Sequence, residues 1–257
     1  MRVLLGETFR LLAGHLNLFT LISLTVWLPG HVLRNYFEFF EPQEVGAGQS
    51  LRAMLAIQVV FDPLVVASTL AALGRIGQGL PVGYGIAMTQ GLAAWGRLLV
   101  VRFVLNFGVA LPALGALFAA PAGGVGAVIA GAVLMALAVA TAVLLIRFAV
   151  VDSVVVLEGA SVLTGWARAA ALTAGRRWTI LWTLAVLFVI VLAFALFTTQ
   201  LVRMVPELNH FVVRVLLDCV VAVSQSLFTI ALFLVYWQAR RSGEPPAVAA
   251  ATRGAPA

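Results

Sequence analysis

Six long apolar runs recur along the chain, near 16–33, 54–73, 98–120, 124–146, 180–201 and 215–237. Each is comparable with the roughly 20 helical residues needed to cross about 30 Å of hydrocarbon. A strand would cross in about ten residues, and every backbone amide in lipid needs a partner inside its own element, so runs of this length are predicted to be helices. Composition agrees: 63% of the 257 residues are hydrophobic, 10% are charged, and the mean hydropathy is +1.08. Soluble domains are roughly 45–50% apolar and 25% charged. The expectation is an all-α integral membrane protein of about six transmembrane helices, forming a single polytopic domain over 1–238. The Pro-, Ala- and Gly-rich remainder, 239–257, is expected to be a disordered cytoplasmic tail. Glu7 and Arg10 interrupt the first apolar residues and no small-residue cleavage site follows Leu33, so the first run is expected to stay in the mature protein.

The sixteen cationic residues are all arginine, giving a net charge of +6. With six spans they divide twelve to four, with only Arg34, Arg52, Arg203 and Arg214 on the second side. The positive-inside rule then puts both termini in the cytoplasm, and in so apolar a chain the basic balance points to a membrane face rather than to nucleic acid. Glu38, Glu41 and Glu44 fall in the first external loop. Pro121, Ala122 and Gly123 are all that separates the third and fourth spans, which predicts a tight antiparallel hairpin.

Two cytoplasmic loops, 81–95 and 161–175, read as short amphipathic helices lying in the interface, and 6–14 is a weaker third. At an offset of 80 the two loops match at seven of nineteen positions: Gly79/Gly159, Val82/Val162, Gly85/Gly165, Ala87/Ala167, Leu92/Leu172, Ala94/Ala174 and Arg97/Arg177. Chance in a Gly- and Ala-rich chain and a true internal repeat both remain open. Trp95, Trp166, Trp178, Trp182 and Trp237 fall at the same interface, the ordinary place for an aromatic belt.

Ionisable groups in hydrocarbon are costly and mark either pathways or internal pairs. The candidates are Asp62, with Pro63 beside it, Arg102 and Asn106 in the third span, and Asp218, Ser224 and Gln225 in the sixth. One reading is a polar track for a solute or proton. The other, favoured, is helix-to-helix bonding, including an Asp62–Arg102 ion pair. Asp218 is expected to reach water or Arg214. A second group, Arg147, Asp152 and Glu158 with Arg168, Arg176 and Arg177, suits either an anionic headgroup site or a loop tie in which Arg147 pairs with Glu158. Gly123, Ala127 and Gly131, with Ala132, Ala136 and Ala140, give the fourth span small-residue ridges for packing inside the chain or in a homo-oligomer. Cys219 reads as a small buried hydrophobe. His15, His31 and His210 are isolated, and phosphate-loop, metalloprotease and nucleophile-elbow motifs are absent. No metal, cofactor or catalytic residue is expected.

Arg147 at the end of a span, then Val-Val-Asp-Ser-Val-Val-Val-Leu-Glu-Gly from Val150, an Arg168 helix, and Leu172-Thr173-Ala174-Gly175-Arg176-Arg177-Trp178 together resemble the bacterial glycerophosphoryl diester phosphodiesterase membrane-domain family. The Gly79 loop and the start of the third span extend the resemblance over most of 1–238. It implies about six helices in a bacterial inner membrane. The phosphodiesterase of that family resides in a fused barrel of roughly 200 or more residues, for which these residues leave no room, so the activity is not implied. The functional expectation is a non-catalytic scaffolding, regulatory or lipid-environment component, whose partners are the bilayer, anionic headgroups and a membrane protein or second copy. The alternative is a small transporter using Asp62 and its polar neighbours, with an intramembrane enzyme third.

Overall fold

The computed structural model describes residues 2–40, 43–119, 125–205 and 209–243. These form α1 (Arg2–Gly14), α2 (Leu16–Phe40), α3 (Gln43–Gly77), α4 (Tyr84–Ala119), α5 (Val125–Arg147), α6 (Val151–Leu157), α7 (Val162–Thr173), α8 (Arg177–Met204) and α9 (Phe211–Gly243). Among the described residues five stretches are long and apolar enough to cross a membrane: Leu16–Phe40, Ala56–Gly77, Gly131–Leu157, Arg177–Met204 and Phe211–Ser242. The protein is an all-α, multi-pass membrane protein. The third predicted span falls within α4 except for residue 120. That residue, the 121–123 connection and residues 244–257 of the predicted tail lie outside the described residues.

Several helices overrun the predicted spans. α3 and α4 have 35 and 36 residues, and α9 continues through Arg240 and Arg241 to Gly243, so 239–243 are helix rather than tail. The loop predicted as a separate helix over 81–95 is instead the first part of α4, continuous with the third span. Its counterpart, α7, is a separate helix, opened by the Ser161 hydroxyl, which accepts from the Thr164 amide.

The joints explain this. After α3 the Gly79 amide bonds the Ile76 carbonyl at 3.0 Å and the Leu80 amide bonds Arg75 at 2.9 Å. With Gly79 at φ +72° this is a Schellman close, and Pro81 prevents the helix from resuming at once. Gly159, matched to Gly79 at the offset of 80, has φ +66° and separates α6 from α7. Gly175, at φ +76°, then breaks the chain again between α7 and α8. The residue matched to Gly175 is Trp95, whose Cβ disfavours the left-handed conformation, so α4 runs on.

Packing is concentrated at the end of the bundle that carries these joints, called the elbow end below. Phe19 and Ile22 of α2, Leu70 and Leu73 of α3, Leu98 and Val101 of α4, Val154 and Val155 of α6, and Ile230 and Phe233 of α9 form one buried cluster. α6 is only seven residues long, yet it fills the space between α3, α4, α7 and α9. Close approaches occur at Gly91, where a Cβ would stand 2.7 Å from the Ser68 backbone, and at Gly74, where it would stand 2.6 Å from the Leu157 side chain. α5 and most of α8 lie outside this core, α8 entering it through Ile180. Their apolar windows are 6% and 22% buried, against 61% and 56% for α3 and α9. Gly131, Ala132, Ala136 and Ala140 are exposed, so these small residues of α5 do not pack inside the chain, while Gly123 and the Ala127 side chain lie outside those described. Cys219 is buried.

Candidate functional site

α3, α4 and α6 converge on Arg102. Its Nη1 donates to Asp62 Oδ2, and its Nη2 and Nε donate to Asp152 Oδ2 at 2.6 and 3.2 Å. The three side chains keep 23%, 34% and 16% exposure respectively, enough burial that none could remain charged alone at low cost. The expected Asp62–Arg102 pair is therefore present, with Asp152 as an unforeseen third member. A cavity of about 350 Å³ opens beside it, walled by Leu105, Phe148, Leu184 and Phe228. Two residues before Asp62 on α3, the Val60 carbonyl accepts from Trp95 Nε1 at 2.9 Å. Pro63 has no amide and disturbs the helical bonding here, so Trp95 acts as an internal donor as well as an interfacial ring.

Arg147, Asp152 and Glu158 do not form one ionic group. Asp152 and Glu158 are six residues apart, about 240° around a helix, and so face different neighbours. Asp152 turns to Arg102. Glu158 pairs with Arg168 at 3.4 Å and accepts from the Tyr236 hydroxyl at 3.0 Å. The expected Arg147–Glu158 pair is thus replaced by Arg168–Glu158. Arg147 instead lies over the Phe148 ring, 5.5 Å from its centroid, and its carbonyl accepts from the Thr173 hydroxyl at 2.7 Å. Arg97 ties the two elbows by donating to the Gly159 carbonyl at 2.9 Å. Arg176 donates to the Ser242 hydroxyl at 3.0 Å, and Arg177 is exposed at the start of α8.

The other end of the bundle holds a second polar group. Asp218 accepts from Asn35 at 2.8 Å and faces Arg34 at 3.8 Å, while Arg214 reaches Glu38 at 3.6 Å. Asp218 therefore pairs across to α2 rather than with Arg214 on its own helix, because α2 packs against α9 along this face. Gln225 lines a cavity of about 130 Å³ with His31, Arg34, Gln58 and Asp218. Ser224 bonds back to the Val221 carbonyl at 2.6 Å, and Ser226 meets Ser23 at 3.4 Å between α9 and α2. Asn106 belongs to α4, and its side chain lies outside those described.

Sequence reasoning missed Asp152 as a partner of Arg102 and Tyr236 as a partner of Glu158. Both carried a signal: an acid inside Val-Val-Asp-Ser-Val-Val-Val and a hydroxyl inside Phe-Leu-Val-Tyr-Trp are polar groups that burial would force to pair. Chemically these arrangements fix helices against one another. Among the described residues no three His, Cys, Asp or Glu side chains are grouped as metal ligands. No family model, no curated protein and no solved structure matches the chain.

Proposed function

We propose that this chain is a non-catalytic, multi-pass component of a bacterial inner membrane that scaffolds or regulates envelope partners or their lipid environment, with both termini in the cytoplasm. The observation that carries this reading is the commitment of the interior charges to one another. Asp62 and Asp152 both hold Arg102, Glu158 holds Arg168 and Tyr236, and Asp218 holds Arg34 and Asn35. Groups engaged in this way tie α2, α3, α4, α6, α7 and α9 together, which supports a structural role for them. The twelve-to-four arginine asymmetry supports the orientation. The resemblance to the glycerophosphoryl diester phosphodiesterase membrane-domain family supports the bacterial inner membrane.

A second reading, a small carrier, is favoured by one observation. Gln58 lines the cavity at the far end and Asp62, one helical turn along α3, lines the cavity at Arg102. On α9, Gln225 and Phe228 are related in the same way. Flux of protons, monovalent cations and lipid precursors through proteoliposomes separates the two. The scaffold predicts permeability equal to empty liposomes for wild type, Asp62→Asn and Asp218→Asn. Flux in the wild type that either substitution abolishes would establish the carrier instead.

A further inference from the structure

A third cavity, of about 390 Å³, lies at the elbow end between α1, the start of α8 and the last turns of α9. That volume is within the roughly 300–1,000 Å³ of small-ligand sites. Its lining combines the buried apolar residues Leu4, Ile180 and Val235 with the polar residues Arg176, Thr179 and Gln238. Arg176 is the charged residue of this lining, and it belongs to none of the ion pairs among the described residues. The other two cavities differ, because their arginines, Arg34 and Arg102, already face carboxylates. A guanidinium carries five N–H donors. The bond from Nη2 of Arg176 to the Ser242 hydroxyl leaves most of them available.

The surroundings favour the same charge. Arg176 is the N-cap of α8 and makes no side-chain cap bond, so the first amides of that 28-residue helix add to the positive field at this point. Trp178 and Trp182 stand 73% and 58% exposed on the following turns, as rings do at headgroup depth. A cation with no carboxylate partner among the described residues, in the lining of a half-apolar cavity, complements a phosphate that carries an apolar body.

We propose that this cavity binds the phosphate of an anionic membrane phospholipid. The Arg176 guanidinium takes two phosphate oxygens, the Thr179 hydroxyl donates to a third, and the first carbons of the acyl region lie over Leu4, Ile180 and Val235. This goes beyond a general attraction of basic loops to anionic bilayers, since it assigns one arginine and one cavity. It holds whether or not the protein also carries a solute.

The test uses the full chain purified in a neutral detergent, with lipid retention read by native mass spectrometry and thermal midpoints read with phosphatidylglycerol, phosphatidylcholine or inorganic phosphate added. Phosphatidylglycerol is expected to be retained and to raise the midpoint, with phosphatidylcholine and inorganic phosphate ineffective at matched concentration. Arg176→Ala should weaken phosphatidylglycerol binding about tenfold, the loss of a charge-assisted contact, and Arg176→Lys should restore part of it. Arg203→Ala, at the opposite end of α8, should bind as wild type. Thr179→Trp, at an exposed position that tolerates bulk, should block the cavity and abolish retention without lowering the lipid-free midpoint. Equal retention by wild type, Arg176→Ala and Thr179→Trp would overturn the proposal. So would stabilisation by inorganic phosphate alone, which would make the ligand a soluble anion.

Discussion

Arg102 shows how one residue governs the stability of the interior. It neutralises two carboxylates from two different helices, so its removal leaves both without a partner. Breaking a buried pair costs roughly 3–5 kcal/mol. The side chains here keep 16–34% exposure, so Arg102→Ala is expected to fall near the lower end, about 3 kcal/mol. Asp62→Asn should cost less, because Asp152 still holds the guanidinium. Unfolding in detergent by a graded denaturant reads this order, and a larger loss for Asp62→Asn than for Arg102→Ala would refute the shared-cation arrangement. Tyr236→Phe removes a bond to a charged acceptor, worth about 1.5–3 kcal/mol, and should weaken the junction of α9 with Glu158. Substituting Glu158→Gln in the same background should then add only the loss of the Arg168 pair, since the Tyr236 bond is already deleted. The Asp62–Arg102 pair was legible because both residues interrupt apolar runs. Asp152 groups with Arg147 and Glu158 by closeness in sequence, a criterion that ignores which way a helical side chain faces.

At the scale of elements, glycine decides where helices stop and how near they come. Gly79 and Gly159 share a left-handed conformation at matched positions, which gives the repeated pattern a structural counterpart at the joints. It also shows where the two halves part, since Trp95 stands where the second half has Gly175. Within α4 two glycines invite opposite results. Gly91 abuts the Ser68 backbone, so Gly91→Ala should force α3 and α4 apart and cost about 1–3 kcal/mol. Gly96 faces open space in the same helix, so Gly96→Ala should be neutral or stabilise by about 0.5–1 kcal/mol. Thermal midpoints of the two variants check the contrast, and similar losses at both positions would show that helix propensity, not contact, was being measured. Both glycines sit in the same stretch of sequence, and nothing there distinguishes them.

At the scale of the whole molecule, the helices sort into a packed set at the elbow end and a pair, α5 and α8, that is largely uncovered. The most apolar helices are the least buried, which is the reverse of a soluble bundle and follows from lipid being as good a neighbour for a leucine as protein is. Orientation remains a prediction of the arginine distribution. Single cysteines introduced near Glu41 and Gly243, in a Cys219→Ala background, should label from opposite sides of the membrane, and labelling from one side would sink the proposed topology. Length and hydropathy in the sequence determined the all-α membrane class and the approximate spans, because each depends on local backbone physics. Which helices lie inside, that α6 plugs the core, and which acid meets which arginine were decided only in the tertiary structure. Those outcomes depend on the rotation of each helix about its axis, and helices that are apolar on every side carry no stripe from which that rotation can be read.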